Sequence, residues 1–271
     1  MGQKLLAQLL PALEKMKFSG NNALTPVGYT VFEVGRDRID GYRGDPRTLG
    51  DALRMFQTAD SLPYEYTGIA LALLAAARED DGSYAPQGLD AALTWLEQAQ
   101  ELVPDNVDIN VVESFIYIYG QRLDDARLVL DYLQQQDDEH YYLHRAEIDY
   151  WRARGDLDQA LSWSEKATSI AETVPQRLRV RSIMADLHAE RGDREAALHS
   201  YRQAVHFDPD NAWLWYRVAQ LYAEGGDWEE ARKANEHALA LDATLAEAQA
   251  LQQSLDERED RGNFLGRLFS N

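Results

Sequence analysis

Cysteine is absent from the 271-residue chain. That excludes a disulfide framework, a thiolate zinc site and a cysteine nucleophile. No apolar run approaches the roughly 18 residues of a membrane-spanning helix. Lysine is scarce: five of the 27 basic residues are Lys and 22 are Arg. Basic residues are also outnumbered, 27 against 46 acidic ones, for a formal charge of −19. A duplex-DNA binder on that balance would need a strong local basic patch, so direct duplex binding is not expected. Phosphate loops, dinucleotide glycine patterns and nucleophile elbows are all missing, so no cofactor is expected. The remaining composition is ordinary for a globular chain, with 45% hydrophobic and 27% charged residues. Abundant Arg with scarce Lys and no Cys is compatible with a GC-rich bacterial genome.

Charge is unevenly placed. Residues 1–44 and 261–271 are each net +2, which leaves −23 on residues 45–260. At the start, Leu5, Leu6, Leu9, Leu10 and Leu13 share one helical face. Gln8 and Pro11 interrupt the stretch, and Glu14-Lys15-Met16-Lys17 stands where a cleavage site would lie. An amphipathic helix is expected rather than a cleaved signal, and with it a cytoplasmic location.

An internal period organises the chain. Ala92, Ala126, Ala160, Ala197 and Ala231 recur at intervals of 34, 34, 37 and 34 residues. Leu96, Leu130, Ser164, Tyr201 and Asn235 come one helical turn later, then Ala99, Leu133, Ala167, Ala204 and Ala238. Gly155-Asp156, Gly192-Asp193 and Gly226-Asp227 mark turns before the small residues, and Pro104, Pro175 and Pro209 punctuate the far ends. The clearest unit runs Trp215, Val218-Ala219, Tyr222, Gly226-Asp227, Ala231, Ala238.

This pattern resembles the tetratricopeptide repeat over about residues 64–242. The resemblance implies an all-α fold, a right-handed superhelix of antiparallel helix pairs. Small residues let helices approach closely, glycine permits the turn, and the adjoining Asp caps the next helix. Stacking then buries faces that no single unit can cover.

The chain divides into four parts. Residues 1–44 are expected to form the amphipathic helix and an extended arm. Residues 45–242 form the solenoid, with a degenerate first unit that lacks its first helix and an insertion at 80–87. Residues 243–260 form a capping helix, and 261–271 an apolar tail. The β-favouring stretch Gly28–Gly35, continued through Gly44, reads as a short extended or β-hairpin arm, the only strand content expected. Three extra residues between 160 and 175 are expected to lengthen that second helix. About thirteen helices are expected in all.

In such folds the first helices line a concave groove. The resemblance implies that inward residues here include Val111, Phe115, Tyr119, Tyr142, Arg145, Asp149, Arg152, Arg179, Asp186, Trp213, Tyr216 and Gln220. Aromatic and Arg side chains are those that hot spots favour, so Phe115, Tyr119, Tyr142, Arg145, Arg179, Trp213 and Tyr216 are the candidate partner-binding residues. The Lys and Asn clamp of chaperone-tail binders is absent, since no first helix between 107 and 223 carries Lys. In the tail, Phe264, Leu265, Leu268 and Phe269 group on one helical face as a candidate docking segment. Gly262 and Gly266 would let it bend from the capping helix.

Catalysis finds little support. Asp124-Asp125 and Glu229-Glu230 open second helices, where carboxylates complement the helix dipole. His140 and His144 lie one turn apart with Glu147 a turn further on, but no third ligand is convincingly spaced, so no metal is expected. The expected function is a non-enzymatic scaffold or adaptor, a regulatory or assembly subunit whose protein partner carries a basic patch. A membrane-associated assembly factor, an acidic decoy of a nucleic-acid-binding partner, and a metal-dependent enzyme remain the alternatives, in that order.

Overall fold

The computed structural model describes residues 2–18, 20–42, 45–79 and 81–268, with side chains described through residue 258. Fourteen α-helices make up the described chain, in two compact units, residues 1–170 and 171–271. The first unit holds α1 (Gly2–Leu13), α2 (Pro26–Asp40), α3 (Pro46–Gln57), α4 (Leu62–Ala76), α5 (Pro86–Leu102), α6 (Val107–Tyr119), α7 (Leu123–Gln136), α8 (Tyr141–Ala153) and α9 (Leu157–Ile170). The second holds α10 (Val174–Glu190), α11 (Arg194–Phe207), α12 (Ala212–Glu224), α13 (Trp228–Leu241) and α14 (Ala246–Leu268). Consecutive helices pack in pairs, α2 with α3 through α12 with α13, and α14 covers α13.

The small-residue ladder is the contact surface of these pairs. Ala92, Ala126, Ala160, Ala197 and Ala231 are fully buried, as are Ala99, Leu133, Ala167, Ala204 and Ala238. Between them Leu96 and Leu130 give way to Ser164, Tyr201 and Asn235, all buried. Both short polar side chains donate hydrogen bonds, although Asn235 Oδ1 is buried without a hydrogen-bond partner among the described residues. Ser164 donates to the Ala160 carbonyl at 2.8 Å, and Asn235 Nδ2 donates to the Ala248 carbonyl at 2.9 Å, tying α13 to α14.

The Gly-Asp turns work as expected. Gly155, Gly192 and Gly226 adopt φ of 77°, 84° and 81°. The next N–H closes a six-residue loop back to the carbonyl of Trp151, His188 or Tyr222, satisfying a helix-end acceptor. Asp156 and Asp193 then accept from Gln159 N and Ala196 N and cap the next helix. Asp227 instead pairs with Arg194 at 2.9 Å.

Four expectations are corrected. Residues 26–40 are not an extended or hairpin arm but helix α2, the first helix that the degenerate unit is expected to lack. Thr25 accepts from Gly28 N as N-cap, and Pro26 opens the first turn. Gly28 and Gly35, seven apart, are a packing notch rather than a strand signal. A Cβ on Gly35 would lie 2.3 Å from the Phe56 ring, and one on Gly28 2.7 Å from Ser61 Cβ. Phe32, Phe56 and Tyr64 form the buried cluster beneath, the Phe32 and Tyr64 rings stacked at 5.0 Å. The only strand-like contact among the described residues is a single bridge between Arg78, just before the expected insertion, and Tyr84 within it. The extra turn before residue 175 lengthens α10, of 17 residues, and not α9, of 14. A Thr173–Gln176 capping box with Pro175 in the first turn starts α10 early. Finally α14 runs unbroken to Leu268, so the capping helix and the start of the tail are one helix.

In the turn at 120–122 the glycine stands one position early: Gly120 has φ of −80°, and the left-handed position falls on Gln121. Gln121 takes φ of 58°, and Arg122 N closes the same loop on Tyr117 O. A side chain in that left-handed region costs about 1 kcal/mol. Gln121→Gly should therefore raise unfolding free energy by up to about 1 kcal/mol. Gly192→Ala, whose Cβ would meet nothing within 4 Å, should lower it by a similar amount. Urea denaturation of both variants checks the pair of opposite signs.

Candidate functional site

The seven candidate groove residues divide between the two units. In the first, Phe115 and Tyr119 lie on α6, and Tyr142 and Arg145 on α8. The Phe115 and Tyr119 rings stack 6.0 Å apart, Tyr119 and Arg145 meet at Asp149, and Tyr142 packs separately against α2. Phe115, Tyr142 and Arg145 are 7%, 4% and 3% exposed. Tyr84 of the 80–87 insertion lies flat on the half-buried Tyr119 ring, centroids 4.5 Å apart. Tyr119 donates to Asp149 at 2.7 Å, and Arg145 reaches the same carboxylate at 3.5 Å.

The other cover is α2. The Arg36 guanidinium stands 3.5 Å above the Tyr142 ring, and Nη1 donates to Asp108 at 2.9 Å. Tyr142 donates to Asp37 at 3.2 Å. Burial opposes the charge on Arg36, but Tyr142, Asp108 and Glu33 outweigh it and raise its pKa. Burial likewise opposes the Asp108 carboxylate, while bonds from His140 and Arg36 hold its pKa below the usual range. The pair is thus ionised at neutral pH inside unit one. Sequence reasoning missed Arg36, Asp37 and Asp108 because the arm reading detached residues 26–40 from the repeats. The Thr25-Pro26 helix start was the available signal.

The remaining three candidates sit in the second unit and stay partly exposed. Trp213 and Tyr216, on α12, place their rings 5.3 Å apart. Arg179, on α10, has its Nε buried without a hydrogen-bond partner among the described residues. The same two helices are joined by Arg217 to Asp186 at 2.5 Å. Tyr201 of α11 completes the lock, donating to Asp186 at 2.5 Å and accepting from Arg217 Nε at 2.7 Å. In the tail, Phe264, Leu265 and Leu268 continue α14, but their side chains, and all of Phe269, lie outside the described residues.

His140 and His144 turn to separate tasks. His140 Nδ1 accepts from Leu143 N at 3.3 Å as the cap of α8, which leaves Nε2–H to donate to Asp108 at 3.2 Å. His144 Nε2 donates to the Asp138 carbonyl at 2.7 Å, and burial depresses its pKa. No metal-holding group of three occurs among the described residues. Glu147 is fully buried, held by two Arg127 nitrogens at 2.7 and 3.0 Å and by Gln134. This carboxylate occupies a place where the repeat has an apolar residue.

Known proteins resemble this chain in part of its sequence and in its fold. Residues 188–255 match the tetratricopeptide repeat model. Cellulose synthase operon protein C of Xanthomonas axonopodis pv. citri is 32% identical over 125 residues, 46% of this chain. The match spans 8% of that relative's length. Pseudomonas aeruginosa pilF superposes with a TM-score of 0.57 at 15% identity, over 77% of this chain and 92% of that one. The APC/C hetero-tetramer Cut9–Hcn1 gives 0.58 at 13% identity, over 94% of this chain and 46% of that one. These two likenesses concern the fold. Residues 188–255 thus carry a tetratricopeptide-repeat match, and the paired helices of the rest of the described chain have the same kind of fold.

The buried ions can be tested directly. Arg36→Met strands Asp108 and should cost about 3 kcal/mol of stability, measured by denaturant unfolding. A second test concerns Glu65 on α4, 5% exposed, whose pKa burial raises from 4.5 to about 7. A raised folded pKa means the contribution is fully present below pH 4.5 and lost as pH rises through about 7. Glu65→Gln should therefore stabilise the protein by on the order of 1–3 kcal/mol at pH 8, with the gain vanishing towards pH 4. Melting curves across that range read it.

Proposed function

We propose that this protein is a non-enzymatic scaffold or adaptor that holds a protein partner on the α10–α12 face of its second unit. One observation supports this reading above the others. Of the seven aromatic and Arg residues that the repeat assigns to a groove, those of unit one are packed under α2 and the 80–87 insertion, whereas Trp213, Tyr216 and Arg179 stay accessible. Trp, Tyr and Arg are the residues on which interface energy concentrates. Their helices are braced by the Asp186–Tyr201–Arg217 lock, which reduces the ordering cost of binding.

The partner in this reading is a protein with a basic patch. The −23 carried by residues 45–260 steers such a partner over a Debye length, about 8 Å at physiological salt. Specific recognition then falls to the aromatic pair, because rim charges govern association rate more than final affinity. The apolar tail, Phe264, Leu265, Leu268 and Phe269, is a second docking element in the same proposal.

Capture of the native partner from lysate, its identification by mass spectrometry, and titration with the double variant Trp213→Ala/Tyr216→Ala test the face. Affinity should fall by at least about 2 kcal/mol with the circular dichroism spectrum unchanged. Undiminished affinity in a folded double variant would remove this face from the function.

A further inference from the structure

Unit two holds a cleft that the groove reading does not use. It lies between α11 and α13, which are second helices of their pairs, and α12 forms its floor. Its volume is about 490 Å³, within the roughly 300–1,000 Å³ typical of small-molecule sites. Trp215, its aromatic wall, is two residues from Trp213 and so faces a different side of α12.

We propose that this cleft binds a small acid, a single carboxylate carried on a flat apolar body. The inner lining is apolar: Val218 on the α12 floor, Val205 on α11 and Ala234 on α13. Trp215 and Tyr222 supply two aromatic walls. Trp215 Nε1 is already committed to the Pro209 carbonyl at 2.8 Å, and its ring meets His237 edge to face at 4.3 Å. What Trp215 has left to offer a ligand is ring surface, which selects a flat, apolar body.

The head group is selected at the rim. Two cations stand there, and only one is neutralised. Lys233 pairs with Glu230 at 3.0 Å and Glu229 at 3.7 Å. Arg202 has no carboxylate within ion-pair reach among the described residues; its partner is the neutral Tyr222 hydroxyl, to which Nη2 donates at 2.6 Å. That bond fixes one nitrogen and leaves the other donors of the planar fork, a geometry that matches a carboxylate. The size and sign of the surrounding charge limit the ligand further. A body of −19 repels polyanions, so the acid that enters is small and singly charged rather than an acidic protein or a nucleic acid.

The test titrates the full chain with sodium naphthalene-1-carboxylate, following tryptophan fluorescence and heat. The neutral naphthalene-1-carboxamide has the same body. The acid should saturate with a Kd of about 1 mM or tighter, as expected for about thirteen heavy atoms. It should bind at least about five-fold more tightly than the amide, the difference a charge-assisted bond makes. Arg202→Met, which keeps the aliphatic stem on an exposed position, should erase that preference with the far-ultraviolet spectrum unchanged. Lys233→Met, which removes a cation already paired, should leave it. Equal binding of acid and amide, a preference that survives Arg202→Met, or no saturation by about 10 mM with the fold intact would each overturn the proposal. A polyglutamate peptide binding through Arg202 more tightly than the naphthoate would also overturn it, by making the cleft an acidic-peptide surface.

Discussion

Everything in this molecule depends on how closely two helices can lie. A fully buried alanine at the same place in each of five pairs sets that distance, with Leu, Leu, Ser, Tyr and Asn buried one turn on. The pairs have little choice of register once this is fixed, because their ladders of small residues tolerate neither a gap nor an added methylene. The turns inherit the constraint. A left-handed residue closes the four hairpins from α6 onward at the same point, Gly155, Gly192 and Gly226 in three of them and Gln121 in the other.

The repeat was legible because small residues, left-handed glycines and capping aspartates announce themselves locally. From about residue 86 onward the helix pairs lie where the 34-residue period puts them. The first unit was not legible in the same way. Val31, Phe32 and Val34 favour strand by propensity, and tertiary packing overrode it: Gly28 and Gly35 admit Ser61 and Phe56 so closely that only a helix of that face fits. The candidate site suffered from this error more than the fold did. The period identifies which residues face inward, but not whether another part of the chain arrives to cover them. Tyr142 and Arg145 look like binding residues in a one-dimensional pattern, and Arg36 and Asp37, more than a hundred positions away from Tyr142, turn them into interior.

Charge plays different parts in different places. Over the whole chain the formal charge is −19, and most of it is solvated. In unit one a few ions are taken out of water and made to depend on each other: Arg36 with Asp108, Arg145 with Asp149, Arg127 with Glu147. Such pairs add little net stability over apolar residues of the same volume, yet each is costly to break. They make unit one intolerant of alternatives rather than more stable.

Glu147 carries that intolerance into the repeat itself. Its carboxylate is fully enclosed; Arg127 of α7, in the preceding pair, neutralises it, and Gln134 of the same helix donates a further hydrogen bond. Repeats of this kind are usually interchangeable, since each meets its neighbour through generic apolar faces. Here the pair α8–α9 fits only behind α7. Duplicating it, moving it, or replacing α6–α7 with a consensus pair would bury an anion with no counter-charge. The lineage of this chain could lengthen or shuffle its array elsewhere, but at this junction the order of the repeats is written into the interior.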